Sequence, residues 1–417
     1  MLKIWLFEMK KITKSLFIFI MLVLLIFIIL GYFVFVYVNT VRTDDIIMEI
    51  KDRVHLQEQH LEDLNQLDNQ EEGQNNTGLK EEIDFQKEYL SKEKDMVEAY
   101  RQKDWSTILA KEIKDDEDAG IHSTNKIISY STFPTAFTTE TRYQKNKWLR
   151  DRGIPPVLPI GTSSWTTMYD VDFGDKRAEA FVKNQSTKYS STGINFLSHV
   201  FKLLFHYVAP IFFVLLFGNV LTKEGIGKNG PIQLLQTQPI RLYQLLTSKL
   251  AATVTITILI LLCVSIFSVL MGTIFDRFGN LDYPVLIYET ERSYHFITMG
   301  VFLLKVFIIS MMVLLFCYSL LFFFSVITRN TLSAVGLTIL VIFITHQWNE
   351  GFAESLTFSF TPFSYFSVTK VVTNELAVTL NNEYFTYPTG LIILGSYSII
   401  FFLASYFILL KRSNAKK

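Results

Sequence analysis

Cysteine is almost absent from this sequence, whose 417 residues include only Cys263 and Cys317. Both cysteines fall inside apolar runs, and the polar block from residue 39 to residue 195 contains none. A fold held together by disulfides is therefore not expected. We interpret the two cysteines as small hydrophobic side chains that face lipid or the protein core.

The motifs of self-contained catalysis are missing too. The stretch nearest to a phosphate-binding loop, residues 225–230, lacks the required spacing and the hydroxyl that would hold magnesium. The sequence has no His-Glu-x-x-His zinc pattern, no Gly-x-Ser-x-Gly elbow and no Cys/His metal cluster. We interpret the acidic run at residues 115–118 as a solvated loop rather than a calcium site. We therefore expect no catalytic residue, no metal site and no cofactor in this chain.

An excess of one charge is also lacking, because 39 Lys and Arg balance 39 Asp and Glu. No global field then attracts nucleic acid, and none is expected as a partner. What the chain has instead is apolar surface: 50% of its residues are hydrophobic and 37 are Phe. Soluble proteins of this length rarely contain so much, so the composition predicts a multi-span membrane protein.

Six apolar stretches approach the roughly 20 residues that a bilayer-crossing helix needs. They are Leu16–Val38 and residues 203–221, 251–275, 301–327, 332–345 with its flanks, and 391–410. Polar residues dilute the fifth, but without it the basic C-terminus would fall on the other side of the membrane. We therefore predict a mainly α-helical, polytopic membrane protein with six transmembrane helices and a large extracytoplasmic insert between helices 1 and 2.

Lysine and arginine cluster at one set of span ends. They occur before the first span, in the loop of residues 222–249, at Arg329, and in the basic tail of residues 411–417. The positive-inside rule places these positions in the cytoplasm. Both termini are then cytoplasmic, residues 39–196 are extracytoplasmic, and the chain is a multi-pass protein of the cell membrane. Residues 1–15 are either an amphipathic helix in the inner interface or a plain extension of the first span.

The first half of the insert predicts a helical hairpin, because two apolar stripes flank a turn-like run at residues 69–78. The stripes are Ile47, Ile50, Val54, Leu61 and Leu64, and then Leu79, Ile83, Leu90, Val97 and Tyr100. The second half predicts a small α+β part. Its prolines force residues 154–159 into an extended conformation, and residues 165–173 favour a short strand or an irregular segment.

Four residues in or near the spans are candidate pathway residues. Ionisable side chains in a membrane are functional candidates, and His206 and His346 either line a polar cavity or relay protons. Lys305 either extends its stem to the outer interface or lines an outward cavity that meets an anionic headgroup. Pro210 frees a backbone carbonyl and should bend its helix, which shapes a cavity or eases packing.

The loop of residues 222–249 is short and basic, and it contains a small apolar helix. It is too polar to span the bilayer and too structured for a bare linker, so we interpret it as the place where a soluble partner binds. Ile232, Leu234 and Leu235 offer an apolar patch, while Gln233 and Gln236 can hydrogen-bond to that partner.

Together these features resemble the membrane subunit of an ATP-binding-cassette type-2 exporter of the Gram-positive bacterial kind. In that family the corresponding loop has a characteristic residue pattern. The residues that match this pattern here are Glu224, Gly230, Leu234, Leu235, Pro239, Ile240, Arg241 and Lys249. The sequence departs from the family in the spacing around residues 225–229 and in Gln238 before the proline. Residues 361–366 are similar to the family's outer re-entrant element, although an aromatic belt at the interface explains their rings equally well.

The resemblance implies that the loop is a coupling helix, which inserts into a groove on a separate ATPase subunit. ATP and Mg would be bound by that partner, and the coupling residues would be Glu224, Gly230, Ile232, Gln233, Leu234, Leu235, Gln236, Pro239 and Arg241. Two permease chains, identical or paralogous, would form a pathway for an amphipathic or lipid-like substrate such as an antimicrobial peptide, a lipid or a drug. The alternative is a membrane sensor or scaffold, whose extracytoplasmic domain binds a ligand or partner without transport.

Overall fold

The computed structural model describes residues 2–70, 77–118, 135–157, 160, 165–170, 189–222, 242–328, 330–352 and 359–414. The chain divides into two compact units. The bundle unit comprises Met1–Val34 and Thr192–Lys417, and the polar unit comprises Phe35–Ser191. Residues 223–241 of the predicted coupling loop, residues 222–249, lie outside the described part of the chain. The prediction of a loop as far as residue 249 is wrong at its end, because residues 242–249 already belong to a helix, Leu242–Phe275.

Helices dominate both units. In chain order they are α1 (Leu2–Thr13), α2 (Leu16–Val38), α3 (Thr43–Gln70), α4 (Thr77–Gln102), α5 (Trp105–Asp118), α6 (Ala136–Asp151), α7 (Gly193–Leu203), α8 (Ala209–Thr222), α9 (Leu242–Phe275), α10 (Met299–Thr328), α11 (Thr331–Phe352), α12 (Val368–Val372), α13 (Glu375–Thr379) and α14 (Tyr387–Asn414). The prediction of a mainly helical protein is confirmed.

Four of these helices, α2, α9, α10 and α14, are long and apolar enough to cross a bilayer. Two shorter apolar stretches, Ala209–Val220 in α8 and Thr331–Ile344 in α11, occupy the places of the second and fifth predicted spans. The sequence therefore located apolar helices at all six places. Only four reach the length of a span within the described residues.

The helix at the second predicted span begins ten residues before its apolar run. α7 starts at Gly193 and buries one face, which includes Phe196, Val200 and Phe201. It continues through a π-helical turn, Leu204–Val208, into α8, and Phe205 in that turn has non-helical backbone angles (φ −92°, ψ 28°). The bend expected at Pro210 is thus present one turn earlier, because proline cannot donate a backbone hydrogen bond to that turn.

α10 forms the core of the bundle unit. It packs against α14, α11 and α8, and most of its central side chains are buried. α9 instead packs mainly against α7 and α1 and touches α10 only lightly. A short antiparallel hairpin, which the sequence analysis did not predict, connects α9 to α10. Its strands are β1 (Pro284–Tyr288) and β2 (Tyr294–Thr298), with Leu286 opposite Phe296.

The predicted helical hairpin of the polar unit is confirmed by the packing of α3 against α4. Arg53 and Glu93 join the two helices through an ion pair of 3.2 Å, and Lys94 and Glu58 do so at 2.6 Å. The described residues that follow in this unit contain α5, α6 and a 3-10 turn, Met168–Asp170, and no strand. Much of the predicted α+β part lies outside the described residues.

The expectation of a solvated loop at residues 115–118 is wrong. These residues form the last turn of α5, and Asp116 is buried against α6, where its carboxylate is paired with Arg142. The prediction assumed that these acidic side chains meet only solvent. In the structure, Arg142 of α6, 26 positions further along the chain, pairs with Asp116. Sequence proximity gave no hint of that pairing.

Asp170 fixes the first turn of α6. One of its carboxylate oxygens accepts a hydrogen bond from the Thr135 amide at 2.9 Å. The other accepts from the Thr167 amide at 2.8 Å and from the Thr138 hydroxyl at 2.5 Å. A buried anion at a helix N-terminus both satisfies free amides and complements the helix dipole.

We predict that Asp170→Asn lowers the free energy of unfolding of the polar unit by about 2 kcal/mol, because one accepting oxygen is replaced by a donor. Denaturant unfolding of the full chain in detergent, followed by tryptophan fluorescence, measures the change. Asp151→Asn at the exposed far end of α6 is the matched control and should change stability by less than about 0.5 kcal/mol. Equal effects of the two substitutions would contradict the role given to Asp170.

Candidate functional site

The segment at residues 361–366 is a 3-10 turn, Pro362–Phe366, which packs into the middle of the bundle unit. The ring of Phe316, near the midpoint of α10, lies 5.2 Å from the ring of Phe363 and 6.3 Å from that of Phe366. Phe401, halfway along α14, lies 6.1 Å from Phe316. The turn therefore packs against the central part of α10 rather than against its end.

Tyr365 anchors this turn from the other side. Its side chain is fully buried, and its hydroxyl donates a hydrogen bond to the Ser359 carbonyl at 2.7 Å. The backbone of α14 approaches the ring so closely that a Cβ atom at Gly390 would lie 2.6 Å from the Tyr365 Cδ1 atom. Only glycine fits at this position, because the contacting atoms belong to a rigid, enclosed ring.

The helices α9 and α10 contact each other at only a few positions, and both carry buried hydroxyl groups. The hydroxyls of Thr257 and Tyr318 are hydrogen-bonded at 2.7 Å. Three further buried hydroxyls, those of Thr253, Ser310 and Ser319, have no hydrogen-bond partner within the described chain. Thr253 lies one turn before Thr257 on the same side of α9, whereas Ser310 and Ser319 are nine residues apart and point to opposite sides of α10. Each unpaired hydroxyl inside the bundle costs free energy.

At the opposite end of α9, the helix begins directly after the predicted coupling segment. Here α1 packs along α9 and buries Glu8 and Ile12. Lys249, in the second turn of α9, is buried as well. One side of the amphipathic helix α1 therefore packs against α9, the helix that follows the predicted coupling residues. The nine coupling residues that the sequence predicted, from Glu224 to Arg241, lie outside the described residues.

The four predicted pathway residues do not form one described cluster. Lys305, in the second turn of α10, places its Nζ atom 5.8 Å from the centre of the Tyr387 ring at the start of α14. Pro210 opens α8 next to the π-helical turn. The backbone of His206 lies within that turn and that of His346 within α11, while their side chains are not among the described groups.

A polar cleft of about 380 Å³ opens between the β-hairpin and the segment around α13. It is lined by Glu289, Thr290, Glu291, Asn374, Ala377, Val378, Asn381, Asn382 and Glu383. The Asn374 side chain donates to the Tyr288 carbonyl at 2.9 Å and so holds the two walls together. In the described part of the chain no three His, Cys, Asp or Glu side chains are placed to hold a metal ion.

Sequence reasoning missed the contacts that tie these elements together. It identified residues 361–366 through their aromatic content but not their neighbours Phe316 and Gly390. Sequence reasoning did not identify Thr257 and Tyr318, because a single hydroxyl lowers the mean hydropathy of an apolar run very little. Gly390, in the first turn of α14 and directly before the predicted sixth span, was the one available signal for the close approach of Tyr365.

Comparison of the chain with protein-family models, curated proteins and solved structures finds no match. Three features of the bundle unit bear on function: the turn packed into the bundle, the Thr257–Tyr318 hydrogen bond between α9 and α10, and the amphipathic helix α1 packed on α9.

We predict that Gly390→Ala lowers the free energy of unfolding by about 1–3 kcal/mol, because its Cβ atom overlaps the buried Tyr365 ring. Gly336→Ala on α11 is the matched control, since a Cβ atom there meets nothing within 4 Å. Thermal denaturation in detergent, monitored by circular dichroism, compares the two. A Gly390→Ala protein as stable as Gly336→Ala would show that the turn does not pack against α14 as described.

Proposed function

We propose that this chain is the permease subunit of an ATP-binding-cassette type-2 exporter. It moves an amphipathic or lipid-like substrate, such as an antimicrobial peptide, a lipid or a drug, and a separate subunit binds ATP and Mg and supplies the energy. The chain contributes no ATPase site of its own. It has six membrane spans, with α8 and α11 as the two short ones, and both termini are cytoplasmic.

The observation that carries this proposal is the position of α9. It begins at Leu242, directly after the nine predicted coupling residues, and packs along α1 and α7. It touches the core helix α10 lightly, and the Thr257 and Tyr318 hydroxyls are hydrogen-bonded between the two helices. A force applied to residues 223–241 would therefore act on a helix that is loosely attached to the core. Such a helix can adopt two positions, and ATP binding by the partner would shift the population between them.

The packed turn at Pro362–Phe366 supports the same function. Non-helical backbone at membrane depth is tolerated where protein covers it or where it lines a cavity. In this proposal the turn is the outer re-entrant element, which closes the pathway from outside. Tyr365 and Phe366 are buried, so the partly exposed ring of Phe363 would provide the apolar contact for an amphipathic or lipid-like substrate. A second permease chain, identical or paralogous, completes the pathway.

A sensor or scaffold without transport is the second candidate function, and the cleft at the β-hairpin favours it. The cleft is open, polar and acidic, and it is large enough for a small ligand. Only the first function requires an ATPase partner, so an ATPase assay separates the two.

We predict that a tagged full-length chain copurifies with an ATPase encoded in the same cell, and that Leu234→Asp together with Leu235→Asp abolishes this association. The two charges would prevent the apolar patch of the coupling helix from entering a hydrophobic groove. Leu56→Asp with Leu67→Asp is the matched control, because these leucines of α3 are 64% and 50% exposed in the polar unit. Absence of any ATPase from the wild-type preparation would refute the exporter function.

We also predict that residues 222–249 are cytoplasmic and that the polar unit is extracytoplasmic. In a chain without its two native cysteines, Thr237→Cys should resist a membrane-impermeant maleimide in intact cells and react after lysis. Ser106→Cys, at an exposed position of α5, should react in intact cells. Labelling of Thr237→Cys in intact cells would overturn the orientation and, with it, the coupling role.

A further inference from the structure

One face of α6 buries three polar side chains in the polar unit. Arg142, Lys145 and Asn146 are spaced at i, i+3 and i+4, so they share that face. Arg142 is 5% exposed, Lys145 2% and Asn146 0%. Long basic side chains are almost never buried to this extent unless they are paired.

Most of the hydrogen-bonding groups on this face lack a partner within the described chain. One terminal nitrogen of Arg142 is paired with Asp116, while its Nε and Nη1 groups have no acceptor. Neither the nitrogen nor the oxygen of the Asn146 amide is hydrogen-bonded. The Lys145 ammonium lies 4.3 Å from the centre of the Trp165 ring, a cation–π contact that provides no acceptor oxygen for its N–H groups.

The surroundings hold this face in place. Asp170 fixes the first turn of α6, and the Trp165 indole nitrogen donates to the Thr141 hydroxyl at 3.0 Å. The α5 helix packs along α6, and its Glu117 accepts a hydrogen bond from the Tyr143 hydroxyl at 2.6 Å. The three side chains therefore belong to a rigid scaffold, which is the condition for a preorganised site.

Charge on this face is arranged so that a bound anion would relieve repulsion. Burial lowers the pKa of Lys145 to about 7, and the neighbouring Arg142 guanidinium lowers it further, while Glu112 and Asp116 act in the opposite direction. Burial also raises the pKa of Glu112 and of Asp116, which weakens their ability to neutralise the two cations. The unpaired atoms are three donors, Nε and Nη1 of Arg142 and Nδ2 of Asn146, and two acceptors, Oδ1 of Asn146 and Oδ2 of Asp116. Together with the Lys145 amine the donors exceed the acceptors, so the missing partner is rich in acceptors.

We infer that Arg142, Lys145 and Asn146 form a binding site for a small oxyanion of the carboxylate or phosphate type. Arg142 and Lys145 supply charge-assisted hydrogen bonds, the Asn146 amide supplies a neutral donor, and Trp165 closes the site over Lys145.

The test measures binding of inorganic phosphate, acetate and chloride to the full-length protein in detergent at pH 7, by calorimetry and by the shift in thermal unfolding. We expect phosphate or acetate to bind and to raise the unfolding temperature, and chloride at equal ionic strength to do neither. Stronger binding of acetate would identify the ligand as a carboxylate, and stronger binding of phosphate would identify a phosphate group. Equal stabilisation by all three salts would overturn the site.

Two substitutions distinguish a binding site from a structural cluster. Asn146→Leu keeps the volume and removes an unsatisfied amide, so the protein should be at least as stable while its affinity for the oxyanion falls roughly tenfold or more. Lys145→Met should remain folded for the same reason and should weaken binding to a similar degree. Lys114→Met, an exposed cation of α5, should bind like wild type. Unchanged affinity in both buried variants would contradict the assignment.

The pH dependence provides a further readout. Binding an anion favours the charged form of Lys145, so the pKa of Lys145 rises in the complex and binding takes up a proton above pH 7. The affinity should therefore fall as the pH rises from 7, by up to about tenfold per pH unit. Lys145→Met should remove this dependence. A wild-type affinity that is constant from pH 7 to pH 9 would exclude Lys145 from the site.

Discussion

Protein packs around the non-helical backbone of the bundle unit. Phe316 of α10 packs against the turn at Pro362–Phe366, and the π-helical turn Leu204–Val208 contacts both that turn and α12. Lipid cannot hydrogen-bond the free amide and carbonyl groups of such backbone, so protein must cover it wherever it lies inside a bilayer. The close approach at Gly390 follows from this arrangement, because the covered turn must fit against the backbone of α14.

Hydropathy predicted the parts of this fold that depend on composition alone. The first span, Leu16–Val38, was predicted with the bounds that α2 has in the structure, because an unbroken apolar run has unambiguous ends. The hairpin of α3 and α4 was also predicted, since its stripes repeat with helical spacing. The start of α7 was not, because Asn195, Ser198 and His199 interrupt the apolar pattern there. That helix depends on burial of one face against α9, which is a tertiary effect.

The sequence predicted only those features of the candidate site that follow from the type of a single residue or a short run. Pro210 indicated a bend because the physics of proline is local, and the aromatic run at residues 361–366 indicated contact with an apolar environment. The Thr257–Tyr318 pair joins residues 61 positions apart, and the Asp116–Arg142 pair joins residues 26 apart. Pairings over such distances are set by how helices pack, and a single sequence contains no record of that packing.

Unpaired buried polar groups occur in the described parts of both units, and each has a cost in stability. Replacing the Asn146 amide or the Ser310 hydroxyl by an apolar group of the same shape would relieve a desolvation penalty of about 1–3 kcal/mol per group. In the polar unit, Arg142 and Asn146 contribute three unpaired donor atoms, and Asn146 and Asp116 contribute two unpaired acceptors. In the bundle unit the unpaired hydroxyls of Ser310 and Ser319 are dispersed, because they point to opposite sides of α10. Unpaired groups that converge beside two cations fit a preformed site for one anionic group, whereas dispersed hydroxyls do not form a site.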